Sequence, residues 1–435
     1  MKTKKILSLI VITMIMATTM VGCGSTPSTS SGSSSTTTDT SKGPVKIVYA
    51  RGKDVTAANK KVVDKFNELN KGKIEVSFIE MPSDSGKQHD KYVTVFNAKG
   101  TDYDVFDADV IWPAEFAQAG YALPLDNYIA KDGINLKDYM DGPVNSLTFK
   151  GKTWGMPKFI DAGLLFYRTD LVKTAPATWE DLIVQAKSVK GKVDFPYLMQ
   201  AKQYEGLVCN AIEFISAYGG KVVDGDGNIT IASAETKKGL EVMKSIVASD
   251  LVPSNITTFT ELESHTAFIE GKGGFIRNWP YQWALAQDKT QSKIVGKVAI
   301  APLPKGSVRS AATLGGWNTM INKYSKHPDE AWQFVKFMTG AEGQKIAAID
   351  GGSAPTLISL YKDSDITTKN PLFADKNFVD GLSAAVPRPV SPIYPKLSDI
   401  MQIEISNYLT GKQDVDAAIK NMDTKMKAAV TDSSK

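Results

Sequence analysis

From Lys46 onward the chain switches repeatedly between two hydrophobic periods, and that alternation constrains its fold more tightly than any single motif. Lys46-Ile47-Val48-Tyr49-Ala50 reads as a strand. Val62, Val63, Phe66 and Leu69 then fall at helical spacing within Ala57 to Asn70. Ile74, Val76 and Phe78 alternate with Glu75 and Ser77, the period of a strand with one buried face. A helix over His89 to Lys99 and a strand over Asp104 to Val110 complete a β-α-β-α-β order, which predicts a largely parallel sheet with helices on both faces. The mixture then resumes. Leu164 to Arg168 is strand-like, and Thr178-Trp179-Glu180-Asp181 resembles a capping box that opens a helix to about Val189. Helices over Tyr204 to Tyr218 and Ala234 to Ser249 precede strands at Gly274 to Arg277 and Lys297 to Ala301. Pro328 sits in a first helical turn, and helices near Asp399 to Thr410 and Val415 to Val430 end the chain. No internal repeat is visible. A folded region of roughly 390 residues suffices for two compact domains. The expectation is α/β architecture in two lobes with a ligand cleft between them, because ligands sit outside the carboxyl ends of strands in open α/β sheets.

The segment before Lys46 reads as targeting and tether. Lys2, Lys4 and Lys5 form a positive start, Ile6 to Met16 an apolar run, and Met20-Val21-Gly22-Cys23 resembles a bacterial lipobox. The apolar run is shorter and richer in Thr than a membrane span of about 20 residues. Residues 1–22 are therefore expected to be a lipoprotein signal peptide, with Cys23 the lipidated mature N-terminus. Gly24 to Lys42 is almost entirely Ser, Thr, Gly and Pro, with no aromatic or aliphatic side chain. It cannot bury enough apolar surface to offset ordering entropy, so residues 23–43 are expected to be a flexible linker. As a random coil it lets the folded part sit about 25 Å from the lipid. The expected location is the extracellular face of a Gram-positive-like cell membrane, with contact to the membrane through the lipid anchor only.

The formal net charge of +4 includes the three signal lysines; without them 48 Lys and Arg face 47 Asp and Glu. No long basic block remains, which argues against a nucleic-acid partner. Only two cysteines are present, and with Cys23 lipidated Cys209 has no disulfide partner. Its apolar helical setting, Leu207-Val208-Cys209-Asn210-Ala211-Ile212, favours a buried structural thiol.

Catalytic signatures are missing: no G-x-x-x-x-G-K-[ST], no G-x-S-x-G, no H-E-x-x-H. Gly271-Lys272-Gly273-Gly274 follows a helix and precedes a strand, the reverse of a phosphate loop. His89, His265 and His327 are scattered, and surface or capping roles suffice for them. Asp224, Asp226, Asn228, Thr230 and Glu235 occupy calcium-loop positions, but Ile229 stands where a glycine must make the sharp turn. A hairpin is favoured over a calcium site there. No metal or cofactor is expected.

The unusual feature is the aromatic and carboxylate content of turns. Asp107-Ala108-Asp109-Val110-Ile111-Trp112, Phe159-Ile160-Asp161, Arg277-Asn278-Trp279-Pro280-Tyr281 and Leu314-Gly315-Gly316-Trp317-Asn318 each cluster at an expected strand end or turn. Aromatic faces cover the apolar face of a pyranose, while carboxylates and guanidinium groups bond paired hydroxyls. The residues alone leave a sugar cleft and ordinary packing both open, with Phe66, Phe78, Phe334 and Phe337 expected in the core.

Tyr103 to Trp112, Asp161-Ala162-Gly163-Leu164-Leu165-Phe166-Tyr167-Arg168, Ala312-Thr313-Leu314-Gly315-Gly316-Trp317 and Ser325 to Trp332 together resemble a family 1 extracellular solute-binding protein. The trehalose/maltose-binding branch is the nearest in character. The resemblance implies a periplasmic-binding-protein-like fold of two α/β lobes joined by several hinge crossings. Residues 44–160 and 304–350 would form the N-terminal lobe, and 161–303 and 351–435 the C-terminal lobe. Crossings are expected near Lys158 to Ala162, Ala301 to Lys305 and Ile349 to Pro355. It also implies a monomer that binds a di- or oligosaccharide, delivers it to ABC permease subunits and is not an enzyme. Carried over, Asp109 and Asp161 would accept from hydroxyls, Trp279 and Trp317 would stack on sugar rings beside Gly315, and Arg388 would donate. Ser83 and Gln88 match a ligand-contacting edge, with Gln88 replacing the usual arginine and Phe159 a tyrosine. The competing readings are a surface sensing or adhesion module, and a secreted glycosidase using Asp109 and Asp161 as its acid and base.

Overall fold

The structure is a computed structural model that describes residues 43–224, 227–383 and 385–433. The expected signal peptide, Cys23 and nearly all of the tether lie outside the described residues, as does Asp226 of the calcium-like loop.

Twelve strands fall into two main sheets and a small hairpin among the described residues. β1 (Val45–Gly52) pairs in parallel with β2 (Ile74–Met81) and with β3 (Val105–Asp109). A hairpin, β4 (Thr148–Phe149) and β5 (Lys152–Thr153), precedes β6 (Met156–Ala162). Then come β7 (Leu164–Arg168), β8 (Phe195–Leu198), β9 (Gly273–Asn278), β10 (Val298–Pro302), β11 (Leu314–Ile321) and β12 (Ala354–Pro355). The first sheet runs β12-β6-β11-β3-β1-β2 and the second β10-β7-β9-β8.

β1, β2 and β3 pair in parallel as their β-α-β-α-β order predicts, but the strands added to them are antiparallel, so the expectation of a largely parallel sheet does not extend to either whole sheet. β11 lies antiparallel to both β3 and β6, and β7 is antiparallel to both of its neighbours. The cause is the chain path: β6 and β11 adjoin crossings between the sheets, so they are not joined to their neighbours by the short β-α-β crossovers that enforce parallel pairing. β6 is buried at every position and therefore shows no period of two, which hid it from sequence.

Two passages join the sheets, Gly163 between β6 and β7 and residues 303–313 between β10 and β11, and a third leads from β12 to the C-terminal helices, of which Tyr394–Leu409 packs on the helix Glu205–Ala217. The expected lobe boundaries shift accordingly. Residues 305–309 still bond Ala177 and Ala217 on the second-sheet side, while Ala354–Pro355 pairs with β6 of the first sheet. Asp161 and Ala162 likewise belong to the first sheet.

Local sequence accounts for the helix starts that frame the cleft. Asp84 caps the helix Ser85–Asn97, its carboxylate accepting from Lys87 N at 3.2 Å. Thr260 and Glu263 form a reciprocal capping box on the helix Glu261–Ile269, and Thr178 and Asp181 form the one expected on Trp179–Val189. In the first lobe, Phe334 packs edge-on against Phe66 and Tyr49 at 5.1 and 5.3 Å. Cys209 is buried and unpaired. The calcium-like stretch is a hairpin in its described part, with Val223 bridged to Ile229 and Asp224 N bonded to Asn228 O at 3.0 Å. No helix among the described residues is long and apolar enough to cross a membrane.

Candidate binding cleft

A cleft with about 1200 Å³ of empty space, open solvent at its mouth included, lies where the two sheets present their strand ends. All eight side chains or backbones picked from sequence line it: Ser83, Gln88, Asp109, Asp161, Trp279, Gly315, Trp317 and Arg388. They come from different elements. Asp109 ends β3, Asp161 lies near the end of β6, Gly315 and Trp317 open β11, and Trp279 directly follows β9. Asp161, Gly315 and Trp317 thus sit in strands, not in the turns that their composition suggested.

The register of β11 explains the juxtaposition. Trp317 stands opposite Asp109 of β3, and Gly315 opposite Asp161 of β6. Glycine at 315 lets the indole sit close, since a Cβ there would meet the Trp279 ring at 3.0 Å and the Asp161 Cβ at 3.3 Å and press on both. Trp279 is half-buried and held on two sides. Its indole N–H donates to Glu261 Oε1 at 3.2 Å, and the Arg277 guanidinium lies over the ring at 3.9 Å from its centroid. Trp317, also half-buried, meets Trp112 edge-on at 5.3 Å.

The two acidic groups differ. Asp109 accepts from Arg388 Nη2 at 2.8 Å and from Ile111 N at 3.3 Å. Burial raises its pKa to about 6 against the lowering effect of Arg388. Asp161 is 8% exposed, and its carboxylate makes no hydrogen bond or ion pair with the described residues. Burial raises its pKa to about 7, with Arg277 opposing and Asp109 reinforcing the rise. Arg388 spends both terminal nitrogens on carboxylates: Nη2 on Asp109 of the first sheet, and Nη1 on Glu205 at 2.8 Å. Gln88 donates to Tyr92 Oη at 3.0 Å, and that hydroxyl donates to Ala50 O at 2.9 Å.

Several cleft residues escaped the sequence reading. Arg51 follows the core of β1, where the rule that ligands gather at strand carboxyl ends could have found it. Tyr204 and Glu205 open a helix with no capping motif to announce it, and the Thr260–Glu263 box beside Glu261 announces a helix start but not a ligand site. Glu205 accepts from Arg388, from Tyr394 Oη at 2.7 Å and from Ser398 Oγ, and Tyr204 donates to Glu261 Oε2 at 2.7 Å. His265, expected in a surface or capping role, is buried in the cleft wall beside Tyr281 Oη at 3.2 Å. Burial lowers its pKa to about 4, so it is a neutral polar group at pH 7. No cluster of His, Cys, Asp and Glu that could hold a metal ion occurs among the described residues.

Two mixed-sheet lobes with a polar and aromatic cleft at their junction define a binding protein of the periplasmic type. The chain belongs to the bacterial extracellular solute-binding protein family, whose profile matches residues 50–345. A probable ABC transporter-binding protein of Deinococcus radiodurans is 35% identical over 364 residues, covering 80% of this chain and 85% of that protein. The solved structure of maltose-bound MalE3 from T. maritima is 36% identical, with a TM-score of 0.84 over 88% of this chain and all of that one. The GacH receptor of Streptomyces glaucescens, solved unliganded and with acarbose, is 24% identical with a TM-score of 0.79 over 89% of this chain and 99% of that one, a likeness of fold. As a solute-binding protein the chain is not an enzyme.

Proposed function

We infer that the cleft captures a di- or oligosaccharide of trehalose or maltose type and that the protein hands it to the permease of an ABC importer. One observation carries the reading: two half-buried tryptophans share the cavity with Asp161, a carboxylate that has no partner among the described residues. The Asp161 oxygens reach the cavity with no donor from the described residues, so they are free to accept from sugar hydroxyls in place of water. The indole faces would cover pyranose C–H surface, Asp109, Ser83, Gln88 and the Gly315 backbone would complete the hydroxyl contacts, and Arg388, already engaged with Asp109 and Glu205, would hold those carboxylates in place. The maltose carried by the T. maritima relative supports the same class of ligand. The two lobes would close on the sugar about the three passages between the lobes. The lipobox at Cys23 supports anchoring as a lipoprotein on the extracellular face of the membrane, acting as a monomer.

A calorimetric screen of trehalose, maltose and maltotriose against the intact chain tests the ligand class. Saturable one-to-one binding of at least one is expected, and no heat from any of them defeats the reading. Loss of labelled-sugar uptake in cells lacking the protein separates delivery from sensing. Release of Cys23→Ala from the membrane fraction tests the anchor.

A further inference from the structure

Behind the Trp279 ring lies an ion pair that the cleft itself does not use. Arg277, near the end of β9, is fully buried and pairs with Glu213 of the helix Glu205–Ala217, which is 1% exposed. Arg277 Nε donates to Glu213 Oε2 at 2.8 Å, and Nη2 donates to Oε1 of the same carboxylate, a bidentate fork. Nη1 donates to Gln200 Oε1 at 3.2 Å, and Gln200 Nε2 returns a bond to Arg277 O at 3.1 Å. The guanidinium is therefore fixed in position and plane.

The same pair touches both passages between the sheets. Glu213 Oε1 accepts from Thr313 N at 3.2 Å, one residue before β11 begins. Thr313 Oγ1 donates to Cys209 O at 2.8 Å, tying the passage to the helix that carries Glu213. At the other passage, a Cβ on Gly163 would lie 2.1 Å from Glu213 Oε1 and 2.8 Å from Arg277 Nη2. The backbone at Gly163 thus runs directly against the pair, and a side chain there would have to displace the carboxylate.

Resting on the reading of the cleft as a sugar site, we propose that Arg277 and Glu213 are positioning residues that couple the Trp279 platform to the interlobe hinge. The guanidinium covers the back of the indole and sets the plane offered to the sugar. Glu213 transmits that placement to Gly163 and Thr313, the backbone that turns when the lobes move. A ligand shifts a hinge only through contacts that differ between open and closed states. A ring seated on Trp279 provides such contacts if the platform is rigidly joined to the hinge.

Truncating one partner alone would leave a buried charge unpaired and risk unfolding, so the test removes both charges together. Arg277→Met with Glu213→Leu keeps volume in the core and removes the fork. With maltose as probe, the parent is expected to bind and to lose radius of gyration in solution scattering. The double variant is expected to bind at least tenfold more weakly, to show less contraction at saturation, and to lose most of the sugar-induced change in tryptophan fluorescence. Gly163→Ala, which pushes the carboxylate away without removing a charge, is the second variant and should reduce contraction in the same direction. If the double variant does not fold, Gly163→Ala alone decides. Parent-like affinity and contraction in whichever variant folds would overturn the coupling. A parent protein that binds no maltose, trehalose or maltotriose would defeat the sugar reading, and the coupling with it.

Discussion

Asp107 and Asp161 are both buried carboxylates on strands of the first sheet, and they could hardly be used more differently. Asp107 Oδ2 accepts from Lys158 Nζ at 2.5 Å and from Tyr49 Oη at 2.8 Å, while Thr319 Oγ1 donates to Oδ1 at 3.2 Å. Lys158 also donates to Tyr49 Oη and Asn59 Oδ1, each at 2.6 Å, so its ammonium has three acceptors. Asp161 faces the cavity with none of this. Burial alone does not separate a carboxylate locked in the structure from one left open to the cavity; the count of donors already in place does. Asp107 belongs to a closed network beneath the cleft, and Asp161 to an open one within it.

Breaking the closed network should give the largest effect. Lys158→Met removes the shorter of the two cation contacts to buried Asp107, leaving Arg51 Nε at 3.6 Å, and strips an acceptor network of its donor, so it is expected to cost about 3 kcal/mol of fold stability. Calorimetric melting checks it. An unchanged melting temperature would mean that the Asp107 network is not the structural half of the comparison.

The open network should respond in affinity. Trp279→Ala is expected to lose about 2 kcal/mol of sugar binding, roughly thirtyfold, with a small change in unliganded melting. Trp317→Ala should lose similar affinity and in addition about 0.5–1.5 kcal/mol of stability, because its ring also packs on Trp112. A Trp279→Ala protein that melts much earlier yet binds normally would make that ring a core residue.

The smallest effect is in pH. The pKa of Asp161 is raised to about 7 and that of Asp109 to about 6, both above the ordinary carboxylate value, so the folded state holds these protons longer than the unfolded chain does. Unliganded stability from this source is present below about pH 4, the unfolded carboxylate range, and is lost as pH rises through 6 to 7. Asp161→Asn should flatten the upper part of that slope. Sugar affinity should move the other way, falling as pH drops below about 7 and the acceptor is protonated. A parent and variant with identical melting profiles from pH 4 to 8 would contradict the assignment.

How much of this was legible in sequence follows the same division. Asp109 and Trp279 could be found because a carboxylate or an indole beside a strand end, with Pro280 next to the ring, has little reason to be packing alone. Gly315 and Trp317 came with the Leu314-Gly315-Gly316-Trp317 cluster, although β11 itself went unseen. Glu205 and Glu261 were not legible, since each depends on partners far along the chain: Arg388, Tyr394 and Ser398 for one, Trp279 and Tyr204 for the other. The commitment of Arg388 to two carboxylates was equally hidden. Sequence gave the residue type, and only the fold shows that both terminal nitrogens are engaged across the cleft. The parallel-sheet expectation fell short for a related reason, because local β-α-β order says nothing about strands that return from the other lobe.

The central claim is that Asp161 is the open acceptor of a sugar cleft. Titrating maltose, trehalose and maltotriose into the parent and into Asp161→Asn by calorimetry at pH 8, with unliganded melting of both, tests it most directly. A hydrogen bond to a charged acceptor is worth about 1.5–3 kcal/mol. The account therefore predicts one-to-one binding to the parent and affinity at least about tenfold lower in the variant, with unliganded melting unchanged or raised. Equal affinity in the two proteins, or a variant that loses binding only because it melts early, would contradict it.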